Sequence, residues 1–229
     1  MGWSEFVAAL AIFFVSHMIF ARPAMRARCV AAMGERGFLI GYSLLSTALF
    51  GWTIVAAGRA PYVEIWPPAA WQAWVPFLLM PVATLLACLA VGAPNPLSFG
   101  GAHPERFDPT RPGVVGIARH PILWAMALWA GAHLVPNGDL AHLVLFGGSL
   151  AFAVLGMRAL DARMRRRLGS GEWARLARLS SAFPFQAWID GRRPPYGPFP
   201  WRRLAAAFAI QAALLAAHPA AIGVSPWPP

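Results

Sequence analysis

Five histidines lie within or beside long apolar stretches of the sequence, and three of them, His17, His120 and His133, have neighbours that favour a functional role. Histidine is the residue type in these stretches that commonly ligates haem iron or a transition metal, and it also relays protons. Because burying an ionisable residue in an apolar segment is costly, such residues are functional candidates. These three are therefore the candidate site residues. His142 and His218 are instead expected to be helix-end residues satisfied by carbonyl groups, headgroups or water.

The spacing limits which histidines can share one site. His120 and His133 are 13 residues apart, which is about 20 Å along a helix at 1.5 Å per residue. They cannot ligate the same metal ion. In their predicted depth in a membrane, His17 and His120 lie toward the cytoplasmic side. His133 lies at the level of four polar residues near the opposite side, called the outer polar cluster (Asn137, Asp139, His142 and His218). A metal site would take its ligands from one of these two levels, and the spacing does not decide between them.

The elements that carry these residues are predicted to be membrane-spanning helices. Of the 229 residues, 58% are hydrophobic and only 12% are charged, against roughly a quarter charged in soluble domains. About 20 apolar residues in helix cross a bilayer. The sequence therefore predicts an all-α, polytopic transmembrane helix bundle and a single membrane domain over residues 1–229. The predicted spans, about six, are residues 3–20, 38–57, 72–93, 114–135, 140–160 and 204–224.

Two segments modify this pattern. Pro121 is tolerated best in the first turn of a helix, so the helix of the fourth span is expected to run only from about Pro121 to Val135, after a structured loop. After the fifth span, residues 172–181 place Trp173, Leu176 and Leu179 opposite two arginines. This pattern predicts a short cytoplasmic amphipathic helix on the anionic membrane surface.

Arginine supplies all 19 basic residues, and its distribution predicts the orientation of the chain. Eighteen arginines fall in the loops of one side, and only Arg59 falls in the other set. Because basic loops stay in the cytoplasm, both termini are expected on the opposite side. The net charge of +10 could suggest a nucleic-acid partner, but the distribution of the charges argues against one. They lie in short loops between apolar runs and do not form one basic face. The expected partner is the lipid bilayer.

An ordered series of short motifs resembles the NnrU family of bacterial inner-membrane proteins, which is associated with nitrite and nitric oxide metabolism. The series runs almost from end to end: His17 with Arg22 and Arg26, Gly34-Glu35-Arg36, Tyr42-Ser43-Leu44, Met80-Pro81, Pro94-Asn95-Pro96, Arg119-His120-Pro121, Trp129 with His133, Pro136-Asn137-Gly138-Asp139, Asp161, Trp173 and Pro184-Phe185. The resemblance implies the inner (plasma) membrane, and hence periplasmic termini.

That family is similar to 15-cis-zeta-carotene isomerase, a membrane protein with a b-type haem. The similarity implies haem b as cofactor, with His17 and His133 as its ligands and His120 as the substitute. The isomerase has a cysteine where this chain has Ala130, so no cysteine-linked ligand switch is implied. The implied function is a haem-dependent isomerase or redox protein that acts on a membrane-soluble small molecule. The alternative is an accessory protein of nitrite or nitric oxide metabolism, without catalysis of its own, that works with a respiratory partner protein.

A second resemblance points to a different class of enzyme. Arg119-His120-Pro121, followed by Asp161 and the segment 165–169, is similar to isoprenylcysteine carboxyl methyltransferases. This similarity implies S-adenosylmethionine binding at the cytoplasmic membrane face. The chain departs from that pattern after the proline, where Leu123-Trp124-Ala125 replaces the usual tyrosine and glycine. A packing interaction between Arg119 and Asp161 is expected in either case.

Overall fold

The computed structural model describes residues 2–20, 22–195 and 199–229, and within these ranges every regular element is helical. Five helices are long and apolar enough to cross a membrane, and a sixth apolar helix is shorter. The predicted polytopic helical bundle is confirmed. The helices are α1 (Gly2–Phe20), α2 (Pro23–Gly58), α3 (Trp74–Ala90), α4 (Pro121–Leu134), α5 (Leu140–Leu168), α6 (Ser170–Ala177), α7 (Gln186–Ile189) and α8 (Trp201–Ile222).

The chain forms two compact units. The N-terminal unit comprises Met1–Pro67 and Gly138–Leu145, and the C-terminal unit comprises Pro68–Asn137 and Phe146–Pro229. That residues 1–229 act as one membrane domain stays a prediction.

In the N-terminal unit, α1 packs against α2. The α2 helix is interrupted at Gly34, whose φ of 75° and ψ of 165° suit a residue without a Cβ. Three backbone hydrogen bonds tie the segment after α2 to Gly138 and Leu140 at the start of α5, one of them from the N–H of Trp66 to the carbonyl of Gly138 over 3.1 Å. The N–H of Ile65 donates to the carbonyl of Gly138 over 2.7 Å, and the N–H of Leu140 donates to the carbonyl of Val63 over 2.9 Å.

In the C-terminal unit, α4 packs against both α3 and α5, and α3 also packs against α8. Leu123 and Ala127 of α4 meet Ala153 and Met157 of α5 in a buried cluster. The small alanines let the two backbones approach closely, as is usual between membrane helices. The C-terminal end of α3 is capped by Arg203, whose Nη1 donates to the carbonyls of Cys88, Leu89 and Val91 over 2.8–2.9 Å.

Within the fourth predicted span, residues 114–135, the helix starts at Pro121, as the position of the proline predicts. The α4 helix begins at Pro121 and has 14 residues, which is about 21 Å and shorter than a bilayer core. The preceding His120 has φ −117° and ψ 64°, because a residue before proline avoids the helical region. The chain enters α4 through an irregular loop that contains two 3-10 turns, Pro104–Arg106 and Gly113–Gly116.

The predicted amphipathic helix is present as α6, but its apolar side faces the protein. Leu176 and Ala177 are buried against Leu97, and Trp173 packs on the same cluster. The helix ends before the predicted Ser181, because Ser180 turns back and its N–H bonds to the carbonyl of Ala177 over 3.0 Å. These apolar side chains therefore pack within the C-terminal unit and do not form a lipid-facing surface.

Candidate functional site

A buried ionic cluster joins the start of α4 to the C-terminal part of α5 in the C-terminal unit. The guanidinium of Arg119 is paired with Oδ2 of Asp161, and Nε2 of His120 lies 3.1 Å from Oδ1 of the same carboxylate. Arg119 is 7% exposed and His120 is fully buried. The expected pairing of Arg119 with Asp161 is therefore confirmed, and it includes His120 as a third member.

The third polar contact of this cluster is made by the second ring nitrogen of His120. Nδ1 of His120 lies 3.1 Å from Oγ of Ser98, a partly exposed residue in the loop after α3. Because the Asp161 carboxylate is ionised by its pairing with Arg119, it only accepts, and Nε2–H must donate to it. In the neutral ring Nδ1 then carries the lone pair. The hydroxyl of Ser98 therefore donates to Nδ1 of His120.

Asn95 holds the loop that carries Ser98 against the residue before His120. Its side-chain Oδ1 accepts from the N–H of Leu97 over 3.0 Å, and its Nδ2 donates to the carbonyl of Arg119 over 3.1 Å. The loop also needs a small residue at Gly101, where an added Cβ would lie 2.6 Å from the carbonyl oxygen of Ala93. These contacts fix the position of Ser98 relative to His120.

The segment after α6 forms hydrogen bonds with both the side chain and the backbone of Arg119. Its Nε donates to Oγ of Ser180 over 3.2 Å, and its backbone N–H donates to the carbonyl of Ser181 over 2.9 Å. Its guanidinium also lies over the ring of Trp173, 4.8 Å from the ring centroid, and that of Arg165 lies 4.3 Å from the same centroid. Hydrogen bonds and the aromatic ring of Trp173 therefore fix the position of the Arg119 side chain, in addition to its ion pair with Asp161.

His133, near the end of α4, has an aromatic environment. Its Nδ1 lies 2.8 Å from the carbonyl oxygen of Trp129, four residues earlier, and its ring stacks on Phe146 with centroids 5.5 Å apart. The carbonyl oxygen can only accept a hydrogen bond, so Nδ1 carries the hydrogen and, in the neutral ring, Nε2 carries the lone pair. Within the described ranges, Nε2 of His133 has no hydrogen-bond partner.

His17, in the N-terminal unit, is oriented by the same kind of backbone bond. Its Nδ1 donates to the carbonyl of Phe13 over 2.9 Å, and its Nε2 lies 3.1 Å from Oγ of Ser46 on α2. Since Nδ1 carries the hydrogen, Nε2 accepts from the serine hydroxyl. Tyr42 meets the ring edge-on with centroids 5.6 Å apart. Ser46 and Tyr42, both on α2, therefore contact the His17 ring directly.

His218 follows its expectation as a helix-end residue satisfied by a carbonyl group, whereas the partner of His142 is a carboxylate. His142 pairs with Asp139, whose Oδ2 lies 2.6 Å from Nδ1 of the ring, and His218 bonds to the carbonyl of Val224 over 2.7 Å. Part of the predicted outer cluster is present within each unit. Asn137 donates to the carbonyl of His133 over 2.7 Å in the C-terminal unit, and Asp139 and His142 pair in the N-terminal unit.

The three predicted site residues therefore have different surroundings. His120 lies in the ionic cluster with both ring nitrogens engaged, while His17 and His133 lie in different units and each has Nδ1 bonded to a carbonyl. Both oxygens of Asp161 are likewise engaged within the protein, so the carboxylate implied for S-adenosylmethionine already has partners. In the part of the chain that is described, no group of three or more histidine, cysteine or acidic side chains could hold a metal ion.

Sequence reasoning missed Ser98 and Asn95 as members of the cluster. The Pro94-Asn95-Pro96 motif was a visible signal for a constrained loop. It gave no indication that a serine three residues after Asn95 would meet a histidine 22 residues further on, because that contact depends on the path of the loop.

A protein-family model described as NnrU protein matches residues 5–226, which is nearly the whole chain. No curated protein and no solved structure gives a match. The similarity to 15-cis-zeta-carotene isomerase stays a prediction.

Proposed function

Because the chain belongs to the NnrU family of helical membrane proteins, we propose that it binds haem b through histidine and acts on a membrane-soluble small molecule by isomerisation or redox chemistry. The observation that carries this proposal is the imidazole of His133. Its Nδ1 is 2.8 Å from a backbone carbonyl and its Nε2 has no partner within the described residues. Metal-ligating histidines are usually oriented by a bond from the other ring nitrogen in this way.

The surroundings of His133 fit a haem ligand. The bond to the Trp129 carbonyl selects the tautomer with a basic Nε2 and limits rotation of the ring, and stacking on Phe146 holds its plane. Apolar rings of this size exclude water, which otherwise competes for a metal and changes its redox potential. Bound haem would supply one-electron redox chemistry at its iron.

His17, in the N-terminal unit, is the second proposed ligand. Its Nδ1 is bonded to the Phe13 carbonyl like that of His133 to Trp129, but its Nε2 accepts from Ser46. Ligation through Nε2 would require the Ser46 side chain to turn away about its Cα–Cβ bond, because Oγ lies 3.1 Å from that nitrogen. His120 is left out of the ligand set, because it is fully buried and both of its nitrogens are engaged. Its place is in the ionic cluster.

A haemin titration tests the proposal. Full-length protein purified without haem is titrated in detergent, and the Soret band is followed. Loss of groups that merely orient a ligand costs 10–100-fold in affinity, so we expect His133→Ala and His17→Ala each to bind at least about 100-fold more weakly than wild type. His142→Ala is the matched control and should bind like wild type, since that ring is paired with Asp139. Equal binding by all three variants would contradict the assignment and favour the accessory role.

We further propose an inner-membrane location with both termini in the periplasm, which the arginine asymmetry supports. Cys29 tests the orientation, because it lies in the basic segment after the first span. A membrane-impermeant maleimide should label Cys29 in inside-out vesicles and leave it unlabelled in right-side-out ones. Val224→Cys in a Cys29→Ser background should show the opposite pattern. Labelling of Cys29 from the periplasmic side would reverse the assignment.

A further inference from the structure

We propose that Ser98 is a nucleophile activated by His120 and that the C-terminal unit transfers acyl groups from carboxylic esters to water. This activity goes beyond haem binding and does not depend on it. The proposal begins with two distances. Oγ of Ser98 lies 3.1 Å from Nδ1 of His120, and Nε2 of His120 lies 3.1 Å from Oδ1 of Asp161. A nucleophile, a base and a group that orients the base within hydrogen-bond reach are the defining arrangement of an activated serine.

The direction of the hydrogen bonds agrees with this role. Asp161 accepts from Nε2–H, so the Nδ1 lone pair points at the hydroxyl of Ser98 and is ready to take its proton. Arg119 holds the second oxygen of Asp161, which prevents the carboxylate from turning away from the ring. His120 is fully buried, whereas Ser98 is partly exposed. The hydroxyl is therefore the accessible end of a buried relay.

The same loop offers donors for a developing oxyanion. The backbone N–H groups of Phe99 and Gly100 have no hydrogen-bond partner among the described residues. The N–H after the nucleophile is a common oxyanion donor, and such donors stabilise the tetrahedral intermediate most when their position is fixed in advance. Here the bonds of Asn95 fix the loop.

The location of the loop suggests the class of ester. The loop follows the apolar helix α3, which ends at Ala90, and it packs on the start of α4, where an added Cβ at Gly100 would touch Cδ1 of Ile122. Phe99, beside the nucleophile, leaves 46% of its surface exposed. An exposed aromatic side chain at the end of membrane helices suits a long acyl chain, so the substrate class is a fatty-acyl ester.

The reaction proceeds in two steps, formation of an acyl-serine and its hydrolysis. Oγ of Ser98 bonds to the ester carbonyl carbon while its proton moves to Nδ1 of His120. The carbonyl oxygen becomes the oxyanion and accepts from the N–H of Phe99. Collapse breaks the bond to the alcohol oxygen, which leaves with the proton from Nδ1. Water then attacks the acyl-serine and gives its proton to Nδ1. Release of the fatty acid returns that proton to Oγ.

A long-chain alkyl fluorophosphonate tests the nucleophile in the purified full-length protein in detergent. The wild-type protein should be labelled at Ser98, as mapped by peptide mass spectrometry, and Ser98→Ala should lose the label. Asp161→Asn should label at least about 100-fold more slowly, because Asp161 orients the base. Ser225→Ala, at an exposed serine, is the control and should label like wild type. A folded wild-type protein that does not react, or a label that survives Ser98→Ala, would overturn the proposal.

A cysteine at the same position gives a readout that needs no substrate. Ser98→Cys, in a chain with Cys29→Ser and Cys88→Ser, is alkylated with iodoacetamide across a pH series. A thiol beside an imidazole base ionises well below the ordinary value of about 8.5, so half-maximal reactivity is expected below about pH 7. Addition of His120→Asn should return it toward the ordinary value. An ordinary profile with His120 present would overturn the proposal. Haemin binding by Ser98→Ala should equal that of wild type, which separates this test from the haem test.

Discussion

Replacement of Asp161 by alanine is expected to lower the free energy of unfolding of the C-terminal unit by about 3 kcal/mol. The reason is the burial of its two partners. Arg119 is 7% exposed and His120 is fully buried, and removal of the carboxylate leaves a guanidinium without its counter-ion. Breaking a buried pair costs about 3–5 kcal/mol. We expect the lower end because 20% of the Asp161 side chain is exposed.

The measurement is an SDS titration of the detergent-solubilised protein, followed by tryptophan fluorescence. Asp161→Asn keeps a side-chain oxygen that accepts, so its loss of stability should be intermediate. Glu172→Ala is the control for loss of a carboxylate, because Glu172 pairs with Arg175 on an exposed surface at 2.7 Å, and exposed pairs contribute little. It should unfold like wild type. Equal stability of Asp161→Ala and Glu172→Ala would contradict the role assigned to the cluster.

Substitution of Gly138 by alanine is expected to lower the free energy of unfolding of the N-terminal unit by about 2 kcal/mol, within the usual range for overpacking. An added Cβ would lie 2.1 Å from the carbonyl oxygen of Trp66 and 2.7 Å from Cδ1 of its ring. The Gly138 carbonyl also accepts from the N–H groups of Ile65 and Trp66 over 2.7 and 3.1 Å. The new atom can be accommodated only if these bonds shift.

Gly51→Ala is the matched control within the same unit. Gly51 lies inside α2, and an added Cβ there would have nothing within 4 Å. Alanine is favoured over glycine in a helix by about 1 kcal/mol, so this variant should be as stable as wild type or more stable. The same SDS titration compares the two variants. If Gly138→Ala matches Gly51→Ala, the close approach at Trp66 does not constrain the unit.

The helices could be predicted because their physical cause is local. Apolar runs of sufficient length, and a proline at the start of α4, are read directly from neighbouring residues. The pairing of Arg119 with Asp161 was also predictable, since both lie at one predicted depth and neither belongs alone in an apolar environment. By contrast, the inward packing of Trp173 and Leu176 was not predictable, because periodicity defines an apolar face and does not identify what covers it.

The contacts within the candidate site depended on the path of irregular segments. Ser98 reaches His120 only because Asn95 and Gly101 bend the loop after α3 onto the start of α4, and no helical period describes that bend. The tautomers of His17 and His133 were likewise inaccessible from the sequence. They depend on which carbonyl lies beside Nδ1, which is a matter of side-chain rotamer.

The absorption spectrum is the sharpest test of the proposal that this NnrU-family protein binds haem b through histidine. Full-length protein is purified from haem-replete cells, and its spectrum is recorded oxidised and after dithionite reduction. We expect a Soret band that shifts on reduction, about one haem per chain, and loss of that band in His133→Ala with retention in His142→Ala. A wild-type protein that is folded and colourless would contradict the claim, as would a Soret band unaffected by both His133→Ala and His17→Ala.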